Sequence, residues 1–197
     1  MKTILLLILL SAGISMIHAQ GNWQLAKNKS GIRVFTGAIP GSEYHAFKAE
    51  MSVPETQAEI VKILQDVEKY PEWFAFTASA KRISQSSEEQ VMILETDYPW
   101  PYANECMQYN MQFVKTQSGG LKITISGSNK NTNCKYAMKK AIGYILLEQV
   151  DGNSSITYYF HSEPSQNIPA WLINPRIHEL PYQTFIALRK RLEAYGH

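Results

Sequence analysis

Six β-prone stretches follow one another between Ala80 and Ser162, with only short links between them. They run Ala80 to Gln85, Gln90 to Tyr98, Tyr102 to Thr116, Leu121 to Ser128, Tyr136 to Val150 and Ser155 to Ser162. Ser86-Ser87-Glu88-Glu89, Gly119-Gly120 and Asp151-Gly152-Asn153 are turn sequences, the last two strong hairpin signals. A parallel pair would need a crossover of a dozen residues or more, so links this short predict an antiparallel meander. Upstream, Ile32 to Thr36 and Tyr44 to Val53 read as strands too, the second with Phe47, Ala49, Met51 and Val53 on one face.

Two windows change from period two to period 3.6. After Pro54, which is tolerated in a first helical turn, Ile60, Val61, Ile63, Leu64 and Val67 predict a helix that stops before Pro71. From Pro169 to about Ala194, Ile173, Ile177, Leu180, Thr184, Phe185 and Leu188 share one side, and Arg176, Glu179, Arg189, Lys190 and Glu193 the other. Pro175 and Pro181 are expected to kink this helix or delay its regular start. The predicted class is α+β, a curved antiparallel sheet wrapped around a long C-terminal helix. The concave face of such a sheet exceeds what one helix can fill, leaving either packed side chains or a cavity.

Strand alternation sorts the faces. Between Tyr102 and Thr116, Met107, Tyr109, Met111 and Phe113 oppose Gln108, Asn110 and Gln112, so the first set faces inward. Met92, Leu94, Thr96 and Tyr98 line the preceding strand, and Ile123 and Ile125 the following one. The lining is rich in Met and Tyr, one flexible and polarizable, the other a flat apolar ring with a single hydroxyl. Periodicity alone leaves core packing and a ligand wall both open. Trp100 and Trp171 are equally open as gate elements or wall anchors.

The amino terminus reads as a secretory signal peptide over residues 1–19. Lys2 gives a basic start, Ile4 to Ile17 is mostly apolar, and Ala19 supplies the small residue at the cleavage position. The apolar run Ile4 to Leu10 is far shorter than the roughly 20 residues of a membrane-spanning helix. No cysteine follows it to accept a lipid, so residues 20–197 are expected to be one soluble domain, secreted or periplasmic. Nineteen Lys and Arg against seventeen Asp and Glu leave a net charge of +2, too little for a nucleic-acid footprint. In an oxidising compartment Cys106 and Cys134 are free to pair. A hairpin through Ser118-Gly119-Gly120 would place Cys106 near Asn131, a few positions short of Cys134. Pairing and two unpaired small hydrophobes both remain open.

Four segments, in order, resemble the START family of steroidogenic-acute-regulatory-related lipid transfer domains, within the helix-grip superfamily. The first helix closing on Tyr70-Pro71-Glu72-Trp73 resembles the family helix that ends in tryptophan. Tyr98-Pro99-Trp100-Pro101 matches its Pro-Trp-Pro turn, and Gly143-Tyr144-Ile145-Leu146-Leu147-Glu148 its Gly-x-Trp-x-Leu strand with Ile145 in place of Trp. Ile168-Pro169-Ala170-Trp171-Leu172-Ile173-Asn174 matches the start of the terminal helix, and Leu188-Arg189 its ending. The resemblance spans roughly Trp23 to Leu192. It implies a helix-grip fold enclosing one lipid or sterol between sheet and terminal helix, exchanged when that helix and the gate loop Pro99, Trp100 and Pro101 move apart. The implied lining is Leu94, Thr96, Met107, Tyr109, Met111, Ile123, Ile125, Trp171, Ile173, Ile177, Leu180 and Thr184.

Two departures bear on the ligand. The family's Arg-Asp pair after the turn is Asn104-Glu105 here, and asparagine cannot make the bidentate clamp a phosphate or carboxylate head prefers, which favours a hydroxyl or carbonyl. Glu163-Pro164-Ser165-Gln166 replaces Asp-Pro-Gly-Gly before the last helix, stiffening or reshaping a hinge. His18, His45, His161, His178 and His197 are scattered without metal-ligand spacing, and no nucleophile elbow, phosphate loop or dinucleotide fingerprint occurs.

The reading is a non-enzymatic binder of one hydrophobic small molecule, without cofactor, metal or nucleic acid. It is expected to be monomeric and to touch membranes transiently. The alternatives are a cyclase- or dehydratase-type enzyme on a lipid or polyketide-like substrate, with Tyr109, Glu105 and His161 as its acid-base groups, and an interaction domain with a collapsed interior.

Overall fold

The computed structural model describes residues 22–130, 132 and 134–195. The expected signal peptide and the expected Cys106 neighbour Asn131 lie outside the described residues. Among these, one sheet contains nine strands: β1 (Gln24–Lys29), β2 (Ile32–Gly37), β3 (Ala46–Val53), β4 (Thr77–Gln85), β5 (Glu89–Thr96), β6 (Glu105–Lys115), β7 (Leu121–Ser128), β8 (Lys140–Val150) and β9 (Asn153–Glu163). Their spatial order is β1-β2-β3-β9-β8-β7-β6-β5-β4, every neighbouring pair antiparallel. The predicted meander runs unbroken from β4 to β9, and the amino-terminal hairpins join it where β3 pairs with β9.

Two hairpins close on residue pairs with positive φ at both positions, Ser30-Gly31 between β1 and β2 and Asp151-Gly152 between β8 and β9. Such turns carry the right-handed twist of their strands, and glycine adopts the second position at little cost. The two edge strands, β1 and β4, are largely exposed and irregular in register, and neither shows the burial alternation of the inner strands.

Helix α1 (Gln57–Gln65) starts at Thr56 rather than at the expected Pro54. The Thr56 hydroxyl accepts the Glu59 N–H at 3.3 Å while the Glu59 carboxylate accepts the Thr56 N–H at 2.8 Å, a capping box. A 3-10 turn, Val67–Lys69, leads into α2 (Tyr70–Trp73). Pro71 therefore does not end the helical segment; it lies in the first turn of α2, where its missing N–H has no helical partner to lose. The terminal helix is divided into α3 (Ala170–Ile173) and α4 (Glu179–Tyr195), with Pro175 in the break and Pro181 in the first turn of α4.

The two ends of the concave face differ. At one, Ile60, Ile63 and Leu64 of α1 and Phe185, Leu188 and Leu192 of α4 bury Met51, Val53, Ile123, Leu147 and Ile156. At the other, α3 and the first turn of α4 stand away from the sheet. Gly143 on β8 shapes that end: a Cβ there would run into the Tyr159 carbonyl and come within 2.7 Å of the Phe160 ring, so only glycine lets Phe160 lie across the strand.

Candidate functional site

The space between the sheet and the α3–α4 segment is a cavity of about 490 Å³, within the range of small-molecule sites. Its sheet wall is built from alternate residues of four strands: Met92, Leu94 and Thr96 on β5, Tyr109 and Met111 on β6, Ile125 on β7, and Tyr158 and Phe160 on β9. Ile145 of β8 closes the inner end, where it meets the packing of α1 and α4. Opposite stand Leu172, Ile173, Ile177 and Leu180 of the terminal segment. The register fixes the wall, since Met92 faces Tyr109 and Met111 faces Ile125 across their strand pairs.

Charge is confined to the rim. Arg176 and Asp97 border the opening and are exposed, and Glu179 is paired with Lys27 at 2.6 Å. Among the described residues no group of three or more His, Cys, Asp or Glu could hold a metal ion. The deep polar groups are tyrosine hydroxyls. Burial pushes the Tyr109 and Tyr158 phenols, 6% and 4% exposed, above their ordinary pKa, so both stay protonated.

Eight residues of the expected lining reach the cavity: Leu94, Thr96, Tyr109, Met111, Ile125, Ile173, Ile177 and Leu180. Four do not. Met107 folds over Gly127, its Cγ 3.0 Å from where a Cβ would stand, and is consumed by strand packing. Ile123 pairs with Phe113 and Ile145 on a rung beyond the cavity, under the helices. Thr184 turns toward the α2–β4 loop, where its hydroxyl accepts the Ala75 N–H at 3.2 Å. Trp171 is 75% exposed on the outer face of α3.

In the expected gate loop Pro99 borders the cavity, while Pro101 does not and Trp100, joined to it by a cis peptide, projects outward with 92% exposure. Asn104 does not face the interior; its Oδ1 accepts the Tyr98 N–H at 3.3 Å. The three groups considered for acid-base work do not converge. Tyr109 is in the cavity, Glu105 holds the loop before α3, and His161 hydrogen-bonds Ser42 through Nε2 at 3.1 Å. Burial pushes the His161 imidazole below its ordinary value.

Cys106 and Cys134 form a disulfide with Cα atoms 6.2 Å apart. It fastens the β7–β8 loop beside β6, where Cys106 also exchanges backbone hydrogen bonds with Tyr136 and Met138. This brings Met138 into the cavity wall. The sequence places Met138 inside a strand starting at Tyr136, but β8 begins only at Lys140 and Met138 lies in the loop before it. Tyr158 and Phe160 were within reach of the same alternation rule that finds Tyr109, applied to Ser155 to Ser162. Tyr44 and Ile168, hydrogen-bonded at 2.8 Å from the tyrosine hydroxyl to the Ile168 carbonyl, come from loops that only the tertiary fold joins.

The START domain family model matches residues 15–196. The uncharacterized protein PA1579 of Pseudomonas aeruginosa is 24% identical over 200 residues, covering 98% of this chain and 99% of its own. Among solved structures, the STAR-related lipid transfer protein of Xanthomonas axonopodis superposes with a TM-score of 0.82 at 27% identity, covering 87% of this chain and 98% of its own. Human STARD10 shares the fold, with a TM-score of 0.72 at 17% identity over 88% of this chain and 74% of its own.

Proposed function

This chain belongs to the START domain family, and from that premise we propose that it binds one hydrophobic small molecule, lipid or sterol-like, and carries or senses it outside the cytoplasm. The observation that carries the reading is the cavity of about 490 Å³ walled by Met, Tyr, Ile and Leu, with its charges at the rim. A collapsed interaction domain would have no such volume. Burial of apolar ligand surface would drive binding at about 25 cal/mol per Å², less the cost of opening the site.

Exchange is proposed to occur at a membrane surface, with the protein monomeric. In support, Trp100 and Trp171 project from the two segments that bound the opening, and tryptophan is the residue that settles at a lipid-water interface. Residues 1–19 are proposed to direct export, and residues 20–197 to form the mature domain.

The test is mass spectrometry of the organic-solvent extract from protein purified from its native source, with a stripped and reloaded sample as control. A single stoichiometric hydrophobic compound is the expected result. A protein that is empty and refuses reloading overturns the reading.

A further inference from the structure

Six of the hydroxyl-bearing residues that line the cavity divide into two groups by what their hydroxyls touch. Tyr70 donates to the Leu64 carbonyl at 2.6 Å and Tyr44 to the Ile168 carbonyl at 2.8 Å, so both are satisfied within the protein. The other group is not. The Tyr109 hydroxyl has only the Met138 sulfur at 3.8 Å, a weak acceptor. Tyr98 and Tyr158 line the same cavity, and the buried Thr77 Oγ1 has no hydrogen-bond partner among the described residues.

Buried polar groups are hydrogen-bonded in nine cases of ten or more, and leaving one unmet is costly. Here the unmet donors all border one apolar space. Tyr98, Tyr109 and Tyr158 all line this one cavity, and the Tyr109 and Tyr158 rings flank Phe160 with centroids 6.2 and 6.0 Å from it. They are three neutral donors at one place with no cation beside them. The nearest guanidinium, Arg176, is exposed at the rim.

Resting on the reading that the cavity binds a hydrophobic ligand, we infer that Tyr98, Tyr109 and Tyr158 form its polar receptor, selecting a neutral molecule with a carbonyl or hydroxyl oxygen over bare hydrocarbon and over an anionic head. Phenol hydroxyls donate to such an oxygen without a counter-charge. A carboxylate or phosphate in the same place would be a buried anion with no partner, which is strongly disfavoured. The hydroxyl or carbonyl preference thus belongs to these tyrosines and not to Asn104, which serves the backbone of the gate loop.

The experiment offers stripped protein an equimolar mixture of tetradecane, 2-tetradecanone and myristate, separates the complex by gel filtration and quantifies what is bound. The ketone is expected to exceed the hydrocarbon by roughly tenfold, the worth of one or two hydrogen bonds. Tyr158→Phe and Tyr109→Phe preserve the rings and are expected to bring that ratio toward unity. The infrared carbonyl band of the bound ketone is expected to move to higher wavenumber in each variant, as its hydrogen bond is lost. Equal uptake of ketone and hydrocarbon, or a ratio insensitive to both variants, overturns the receptor. So does preferential uptake of myristate, which would place the head at Arg176. Uptake of none of the three would overturn the binding reading itself.

Discussion

Glu105, wholly buried at the start of β6, accepts the Ser165 backbone N–H on both carboxylate oxygens, at 3.0 and 2.8 Å. The Ser165 hydroxyl, the Gln166 backbone N–H and the Gln166 Nε2 also donate to it, at 2.9, 2.8 and 3.1 Å. The segment that roots the terminal helices is therefore held to the strand beside the gate loop. Glu105→Ala leaves those donors unmet, and hydrogen bonds to a charged group are worth about 1.5–3 kcal/mol each. The expected result is a loss of roughly 3 kcal/mol in urea denaturation, with faster hydrogen exchange at Ser165 and Gln166 than at the β8–β9 ladder.

The disulfide between Cys106 and Cys134 closes a loop of 28 residues. Restricting the unfolded chain by that much is worth roughly 3 to 4 kcal/mol. Dithiothreitol is expected to lower the thermal midpoint of the native protein and leave a Cys106→Ala/Cys134→Ala double variant unmoved.

Lys27 donates to Glu179 at 2.6 Å, and this hydrogen bond is the main reason the Glu179 carboxyl lies below its ordinary value of 4.5. A carboxyl lowered by folding contributes stability above its unfolded pKa and loses it as pH falls through the folded one. Lys27→Met is expected to return the Glu179 titration, followed by carboxyl-carbon NMR, toward the ordinary value. The stability lost between pH 7 and pH 3 should shrink accordingly.

Met111 faces Ile125 in the middle of the sheet wall. In Met111→Arg a guanidinium enters a space whose deep neighbours are apolar or phenolic, and a buried charge there repels apolar ligand. Ligand loading is expected to disappear while the β-sheet circular dichroism persists. Loading at the native level would remove this face from the site.

Trp100 and Trp171 are the most exposed large hydrophobic side chains among the described residues. Exchanging both for Ser removes surface that nothing in the fold covers, so stability should change by no more than about 0.5 kcal/mol. Co-sedimentation with liposomes is expected to fall several-fold. Unchanged sedimentation would exclude the two tryptophans as the contact.

The legible part of this molecule was its strand and helix periodicity. The alternation of Tyr109 and Met111 located the sheet wall, and Gly119 and Gly152 located two turns, because both signals are local. The same rule failed at Met107 and Ile123, which share the inward face but lie where Gly127 or the helices already fill the space. Alternation reports which face a residue joins, not whether that stretch of the face is covered. Trp171 misled in the opposite sense, since a short helix ending before Pro175 presents its tryptophan outward. Glu105 reads from the sequence as a candidate acid-base group because its partners, Ser165 and Gln166, are distant in the chain. Strand β1 was missed because an exposed, bulged edge needs no alternation.

The pairing of Phe47 on β3 with Phe160 on β9 sets the order in which this protein becomes competent. Loop-closure entropy makes so distant a pairing one of the slower events of folding, and the strand it requires is the last of the sheet to be synthesised. Until it is in place, Tyr158 and Phe160 have no neighbour on one side and the terminal helices have no finished surface to rest on. A chain halted before β9 would have an unfinished cavity wall and would be unable to hide its apolar face.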